Sequence, residues 1–324
     1  MIPVTVVIPA CARPQLLDRC LAALGAQHFP PSRYEIIVVD DRPCVATREV
    51  VANWSARLRT VGPRIHYIAN PGPHGPAAAR NCGWKAARGS IIAFTDDDAI
   101  PQPDWLLAGM RAFDDNVLAV RGRIVMPLEG TPTDYQRDAK GRETAEFATA
   151  NCFCPRYVLE EVGGFDERFR HAWGEDADLY FRLLARDGRI VHAPAAVVVH
   201  PIRAASWGIS VQQQKKILSD ALLYKKHPAL YRQKIRGQSR WDYYLIVLSM
   251  LVGGGALLAG SAGVAAIAGL TWLSLSARIC LARLKDTVRT PSHIAEMVVT
   301  SALIPPAAVF WRLVGSLRFR TALL

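Results

Sequence analysis

The sequence predicts an α/β protein whose mostly parallel sheet carries helices on both faces, followed by a C-terminal helical membrane region. Strand-like and helix-like stretches alternate through the first hundred residues, a pattern that implies strands joined by helical crossovers. Two of these strands end on runs of aspartate, Asp40-Asp41 and Asp96-Asp97-Asp98. Further on, the 35 residues from 243 to 277 carry no charge.

Taken in order, residues 4–9 form a short β-branched run, and residues 16–26 follow with apolar side chains at helical spacing. Residues 35–40 are a continuous apolar strand. Residues 45–58 read as a helix, 64–68 as a strand, 77–87 as a helix and 90–95 as another buried strand. Ligands in such sheets bind beyond the carboxyl ends of the strands, the edge to which both aspartate runs belong. From residue 118 to 200 the pattern loosens. Residues 176–186 still read as a helix, and 196–200 as a short strand ending on His200.

A single membrane span needs about 20 apolar residues, so the charge-free run is too long for one and tight for two. Ala259-Gly260-Ser261-Ala262-Gly263 near its middle predicts a hairpin of two short spans, with Trp241, Tyr243 and Tyr244 as an interfacial belt. A buried soluble helical hairpin is the other reading. Residues 297–311 are a second charge-free run, interrupted by Pro305-Pro306, and read as re-entrant or interfacial, with a third span as the alternative. The expected division is an α/β domain over 1–205, a basic juxtamembrane segment over 206–240, a hairpin over 241–282 and the last apolar segment over 283–324.

The net charge of +11 is distributed unevenly. Residues 1–200 hold 23 Lys/Arg and 24 Asp/Glu, whereas residues 201–324 hold 16 and 4. Basicity beside long apolar runs points to an anionic lipid surface and away from a nucleic-acid partner. Seven cysteines without a CxxC pair (11, 20, 44, 82, 152, 154 and 280) read as free thiols of a reducing compartment. Met1-Ile2-Pro3 has no basic n-region, so no signal peptide is expected. The catalytic part is therefore expected to face the cytosol, in a multi-pass protein of a bacterial inner membrane.

The aspartate triplet carries the sharpest chemistry. Carboxylates crowded at a strand end repel one another unless a cation or hydrogen-bond donors share the site. Hard divalent ions such as Mn²⁺ or Mg²⁺ prefer oxygen ligands of this kind. A helix-capping loop is the plain alternative, and it suits Asp104 better. The second acidic cluster, Glu175-Asp176-Ala177-Asp178, opens a helix. One of its carboxylates suits the helix dipole, and a spare one can serve as a general base.

Together these residues resemble the family 2 glycosyltransferases of the GT-A fold. The resemblance covers roughly residues 3–200. It rests on six motifs in order: VTVVIPA (residues 4–10), VVDD (38–41), ARNCG (79–83), FTDDD (94–98), GGFDE (163–167) and GEDADL (174–179). It implies that Asp96 and Asp98 are the outer residues of a DxD motif, with Asp98 the direct metal ligand and Asp97 beside the donor. It further implies that Pro9, Ala10, Arg13, Asp40, Asp41 and Arg80 line the nucleotide-sugar pocket. Asp176 would be the catalytic base with Glu175 next to it, and His200 would complete the metal site, although a strand-end histidine alone is more often structural. The implied reaction is an inverting, single-displacement transfer from a nucleotide sugar, with a UDP-sugar favoured, to a lipid-linked or polysaccharide acceptor. The QxxRW signature of processive synthases is missing, and Gln212-Gln213-Gln214-Lys215-Lys216 stands in its place. Two other readings compete, a catalytically inactive nucleotide-sugar scaffold and a sugar nucleotidyltransferase. The intact aspartates oppose the first, and the lack of glycine in residues 9–14 opposes the second.

Overall fold

The computed structural model describes residues 3–236 and 240–322, so Met1 and Ile2, on which the signal-peptide expectation partly rests, lie outside the described residues. The chain divides into two compact units, one of residues 1–127 and 141–202, the other of residues 128–140 and 203–324. The C-terminal unit thus reclaims a short excursion from the middle of the catalytic sequence, which linear boundaries at 205, 240 and 282 do not foresee.

The first unit holds an eight-stranded sheet made of β1 (Val4–Ala10), β2 (Tyr34–Asp40), β3 (Arg64–Ala69), β4 (Ile91–Thr95), β5 (Ile100–Pro101), β6 (Val117–Val125), β7 (Asn151–Pro155) and β8 (Arg189–Val199). Their order is β3-β2-β1-β4-β7-β6-β8-β5. The first four run parallel to one another. β6 and β8 pair parallel as well, so the expectation of a mostly parallel sheet holds with two exceptions: β7 lies antiparallel to both β4 and β6, and β5 antiparallel to β8. Hydrophobic periodicity identifies a strand but carries no information on its direction, so these two reversals have no mark in the sequence.

Alternation along β1 shows why the sheet sits between two helical layers. Val4, Val6 and Ile8 enter one apolar cluster with Leu17, Leu21, Val51 and Trp105. Val7 enters the other with Val39, Trp84, Leu159 and Leu179. Central strands buried on both faces read as unbroken apolar runs. Gly83, in the helix Pro76–Ala86, permits the close approach of that helix to the sheet: a Cβ there would stand 2.4 Å from Val7 Cγ1 and 3.1 Å from Val39 Cγ2. Asn151 ties the antiparallel strand to its neighbours. Its Nδ2 donates to the carbonyls of Arg123 and Ala196, both at 2.9 Å, and its Oδ1 accepts from Trp105 Nε1 at 2.8 Å.

The second unit is helical. Trp241–Leu258 and Ala262–Leu284 form the two arms of the expected hairpin, turning at residues 259–261. The last apolar stretch is one continuous helix, Pro291–Phe319, with Pro305 and Pro306 inside it. No re-entrant turn forms at the proline pair. All three helices are long and apolar enough to cross a membrane. Their large apolar side chains point outward, Leu258 at 93% exposure being the extreme, which a folded chain tolerates where the surrounding medium is itself apolar.

Candidate active site

Register brings the functional strand ends level: Ala10 lies beside Asp40, and Asp40 beside Ala69. The aspartate triplet follows β4 at the same edge. Asp41 closes a loop there, accepting from Asn70 Nδ2 at 2.8 Å and from the Gly75 amide at 2.9 and 3.0 Å. That loop leads into the helix Pro76–Ala86, which carries Arg80. Asp40 accepts on Oδ2 from the Cys44 amide and from Tyr67 Oη, both at 3.1 Å. Its Oδ1 is buried without a hydrogen-bond partner among the described residues.

Arg80 is the hub. Its guanidinium lies 2.9 Å from Asp96 Oδ1, 3.2 Å from Glu175 Oε1 and 3.9 Å from Asp176 Oδ1, above the Phe165 ring. Burial works against its charge, but Asp96, Asp176 and Glu175 outweigh burial and raise its pKa. Burial likewise works to raise Asp96, yet Arg80 and His200 prevail and hold its carboxyl well below the usual range. Glu175 goes the other way. Burial, with the charge of Asp176 added, pushes it up to about 8 against the pull of Arg80. Near neutral pH Glu175 is therefore held toward its protonated form beside the ionised Asp96.

The two acids of the Glu175-Asp176 pair differ in access. Gly174, at φ +94°, turns the chain into the helix Glu175–Leu184, a conformation that costs glycine little. The Glu175 side chain is 3% exposed and that of Asp176 32%. Thr149 fixes Asp176, its hydroxyl donating to Oδ1 at 2.6 Å and its amide to Oδ2 at 3.2 Å. Asp178, fully buried, pairs with Arg182 at 2.8 Å.

His200, just past β8, comes next to the triplet. Its Nε2 lies 3.3 Å from Asp98 Oδ1 and 3.8 Å from Asp96 Oδ2. Ligand atoms of Asp96, Asp98 and His200 all fall within 4.8 Å of one another, so the three can hold a metal ion. The fit has an independent mark: both ring nitrogens of His200 are buried, and neither makes a hydrogen bond of good geometry. Two carboxylate oxygens and an imidazole nitrogen suit Mn²⁺ and, less well, Mg²⁺. In the absence of an ion, burial opposes a charge on His200, but Asp96 and Asp98 beside it raise its pKa overall.

Arg13 bridges the rest of the triplet, 3.1 Å from Asp97 Oδ1 and 3.2 Å from Asp98 Oδ2. The Cys11 amide, just beyond Pro9 and Ala10, donates to Asp97 Oδ2 at 3.2 Å. Asp97 is itself held up to about 7, mainly by burial, which Arg13 opposes and the other two aspartates reinforce. Arg13, Arg80, Asp96, Asp97, Asp98, Glu175, Asp176 and His200 are thus joined by these contacts, and Ala10, Asp40 and Asp41 lie at the neighbouring strand ends. The sequence reading missed Thr149, which belongs to no motif, and the bridging position of Arg80 between the two acidic clusters. Asp104 is not a side-chain cap; it instead meets His28 Nδ1 at 3.0 Å.

The family models for glycosyl transferase family 2 and glycosyl transferase family group 2 match residues 5–165 and 91–314. Among curated relatives, Glycosyltransferase AglE of Haloferax volcanii is 28% identical over 50% of this chain and 55% of its own length. The pre-mycofactocin glycosyltransferase of Mycobacterium tuberculosis is 32% identical over 62% and 43%. The chain thus spans about half the length of the curated relatives it matches. In fold it is similar to a mannosyltransferase of Pyrobaculum calidifontis solved with GDP-Man and Mn²⁺. That likeness has a TM-score of 0.60 at 20% identity and covers 96% of this chain and 86% of that one.

The raised pKa of Glu175 has a consequence for stability. A carboxyl whose pKa is higher folded than unfolded contributes stability below its unfolded value, near 4.5, and loses it as pH rises through about 8. Glu175→Gln cannot ionise, so its melting temperature is expected to rise relative to the native chain between pH 5 and pH 8. Thermal scans of both proteins in EDTA measure this, and parallel pH profiles would contradict the assignment.

Proposed function

The chain belongs to the family 2 glycosyltransferases, and from that premise we propose that it moves a sugar from a nucleoside-diphosphate donor to a hydroxyl of a membrane-associated glycan or lipid-linked acceptor, with inversion. A UDP-sugar is the first donor to try. The observation that carries this reading is the linkage of two acidic clusters through Arg80, one fitted to a cation and the other presenting an accessible carboxylate. A nucleotidyltransferase or an inert scaffold has no use for the second.

In this reading Asp96, Asp98 and His200 hold Mn²⁺ or Mg²⁺, which when bound stabilises negative charge on the departing diphosphate. The unpartnered Oδ1 of Asp40 is suited to accept a hydrogen bond from the nucleobase, with Pro9, Ala10 and Arg13 nearby. Asp176 takes the proton from the acceptor hydroxyl. The acceptor oxygen forms its bond to the anomeric carbon as the bond to the phosphate oxygen breaks, and that electron pair leaves with the nucleoside diphosphate. Thr149 keeps the Asp176 carboxylate aimed, which is how a positioned base contributes to rate. Glu175 serves this step less well, being buried and largely protonated at neutral pH.

Asp176→Asn retains the shape and removes the proton affinity. Donor binding is expected to survive, whereas release of nucleoside diphosphate in the presence of acceptor falls about 100-fold or more. Chelation by EDTA should stop the native enzyme, and Mn²⁺ should restore it. Normal turnover by Asp176→Asn would remove that residue from the role.

Topology forms part of the proposal, because charged nucleotide sugars are made in the cytosol and the catalytic unit must meet them there. Within the C-terminal unit, Ser210 Oγ accepts from Arg283 Nη2 at 3.0 Å, and Arg137 donates to the Lys285 carbonyl. These contacts favour a hairpin that returns to its starting side. In a cysteine-free background, single cysteines at Ser210 and Lys285 should resist an impermeant reagent in intact cells, and one at Ser261 should react. External labelling at Lys285 would replace the hairpin with a single long span.

A further inference from the structure

A polar cavity of about 270 Å³ lies wholly within the C-terminal unit. Its wall is drawn from residues 133–136, from 203–210, and from the helices Ala262–Leu284 and Pro291–Phe319. At roughly 30 Å³ per water it has room for about nine waters, or for one sugar ring with some to spare.

The charge on the wall decides what it can hold. Arg203 and Arg283 are matched by Asp134 and Glu296, two cations against two anions. Arg283 is fully engaged. It donates to Asp134 Oδ2 at 2.8 and 3.0 Å, to Ser210 Oγ at 3.0 Å, and to the hydroxyls of Thr300 and Ser301 at 2.7 and 3.2 Å. A guanidinium has five N–H donors, so this one is a structural member of the wall. Glu296 accepts on Oε1 from the Gly208 amide at 2.8 Å. His293 differs. It is 5% exposed, and its Nε2 is buried without a hydrogen bond among the described residues. Its nearest acid is Glu296, 3.9 Å from Nδ1. Leaving such a nitrogen unpaired is unfavourable, because it has lost its water without gaining a partner. Ionisable groups within helices of membrane-crossing character are kept for a function more often than for stability.

We propose that this cavity binds an uncharged sugar ring of the acceptor, with His293, Gln136 and Glu296 hydrogen-bonding its hydroxyls. A hydroxyl donates one hydrogen bond and accepts others, so a wall of mixed donors and acceptors with no net charge matches it. A phosphate would require a surplus of cations, which this wall lacks. The proposal rests on the glycosyltransferase reading and specifies the chemistry of its acceptor.

The test uses the full chain in lipid nanodiscs, since glycoside detergents would compete for the cavity. Saturation-transfer NMR is recorded with methyl glycosides of glucose, galactose, mannose and N-acetylglucosamine. At least one glycoside should give a signal that falls about fivefold in His293→Leu, the worth of one net hydrogen bond. It should recover in His293→Gln and fall at least as far in Ala204→Phe, which fills the cavity. Mn²⁺-dependent donor hydrolysis, followed on the same samples, should stay at the native level in all three. No binding by any glycoside, or equal signals in native and variant proteins, would overturn the proposal. Displacement of the glycoside by glycerol phosphate would also overturn it, making the cavity an anion site. Loss of donor hydrolysis in the native chain itself, with glycoside binding still sensitive to Ala204→Phe, would instead sink the transferase reading and leave the sugar site standing.

Discussion

Arg80 is a buried cation that two acidic clusters share, and the edge of the sheet is organised around it. Asp96 reaches it from the end of β4, and Glu175 and Asp176 reach it from the start of a helix almost a hundred residues later. Removing one member of a buried ion pair costs about 3–5 kcal/mol, because the other is left uncompensated. Asp96, 2.9 Å from the buried guanidinium, is the carboxylate to which that cost applies most directly. Protonation follows from the same arrangement: Asp96 is driven to ionise, and Glu175 is kept neutral. In the proposed reaction an ionised Asp96 would be available to a cation, and a protonated Glu175 would leave Asp176 as the accessible base.

The helical unit answers to a different constraint. Its three long helices turn most of their leucines outward, Leu284 being a buried exception, and keep ionisable groups such as Arg283 in local networks. Arg283 shows how this is done, with every N–H directed at an oxygen from one of four neighbours. Asp134, Ser210 and the Thr300-Ser301 pair come from three separate stretches of chain. A single guanidinium therefore fastens the excursion 128–140 to the helices. Proline inside Pro291–Phe319 removes backbone donors, yet the helix continues, and Pro305 is buried against its neighbours.

Much of this was legible in the sequence, and the reasons differ from residue to residue. Strand ends rich in aspartate announce themselves because nothing else stabilises such crowding, so Asp40, Asp96 and Asp98 could be named without coordinates. The charge-free run from 243 to 277 is equally plain, since length alone rules out a single span. Direction along β7 was not legible: Asn151–Pro155 is buried on both faces whichever way it runs. Thr149 carries no motif, and its contact with Asp176 bridges 27 residues by tertiary packing alone. Arg80 could be placed at the site by resemblance, but its joining of the two clusters required knowing that the helix Pro76–Ala86 lies beneath both. The continuity of the last helix was hidden by Pro305-Pro306, whose ordinary effect is to break one.

The central claim is that Asp96, Asp98 and His200 together bind a divalent ion at the edge that Arg80 organises. Electron-nuclear double resonance of Mn²⁺ bound to the full chain tests it most directly, since only a coordinated imidazole gives a strong nitrogen coupling at this site. The account predicts that coupling in the native protein and its loss in His200→Leu, with weakened binding in Asp98→Ala. Tight Mn²⁺ binding with no histidine nitrogen coupling would contradict it.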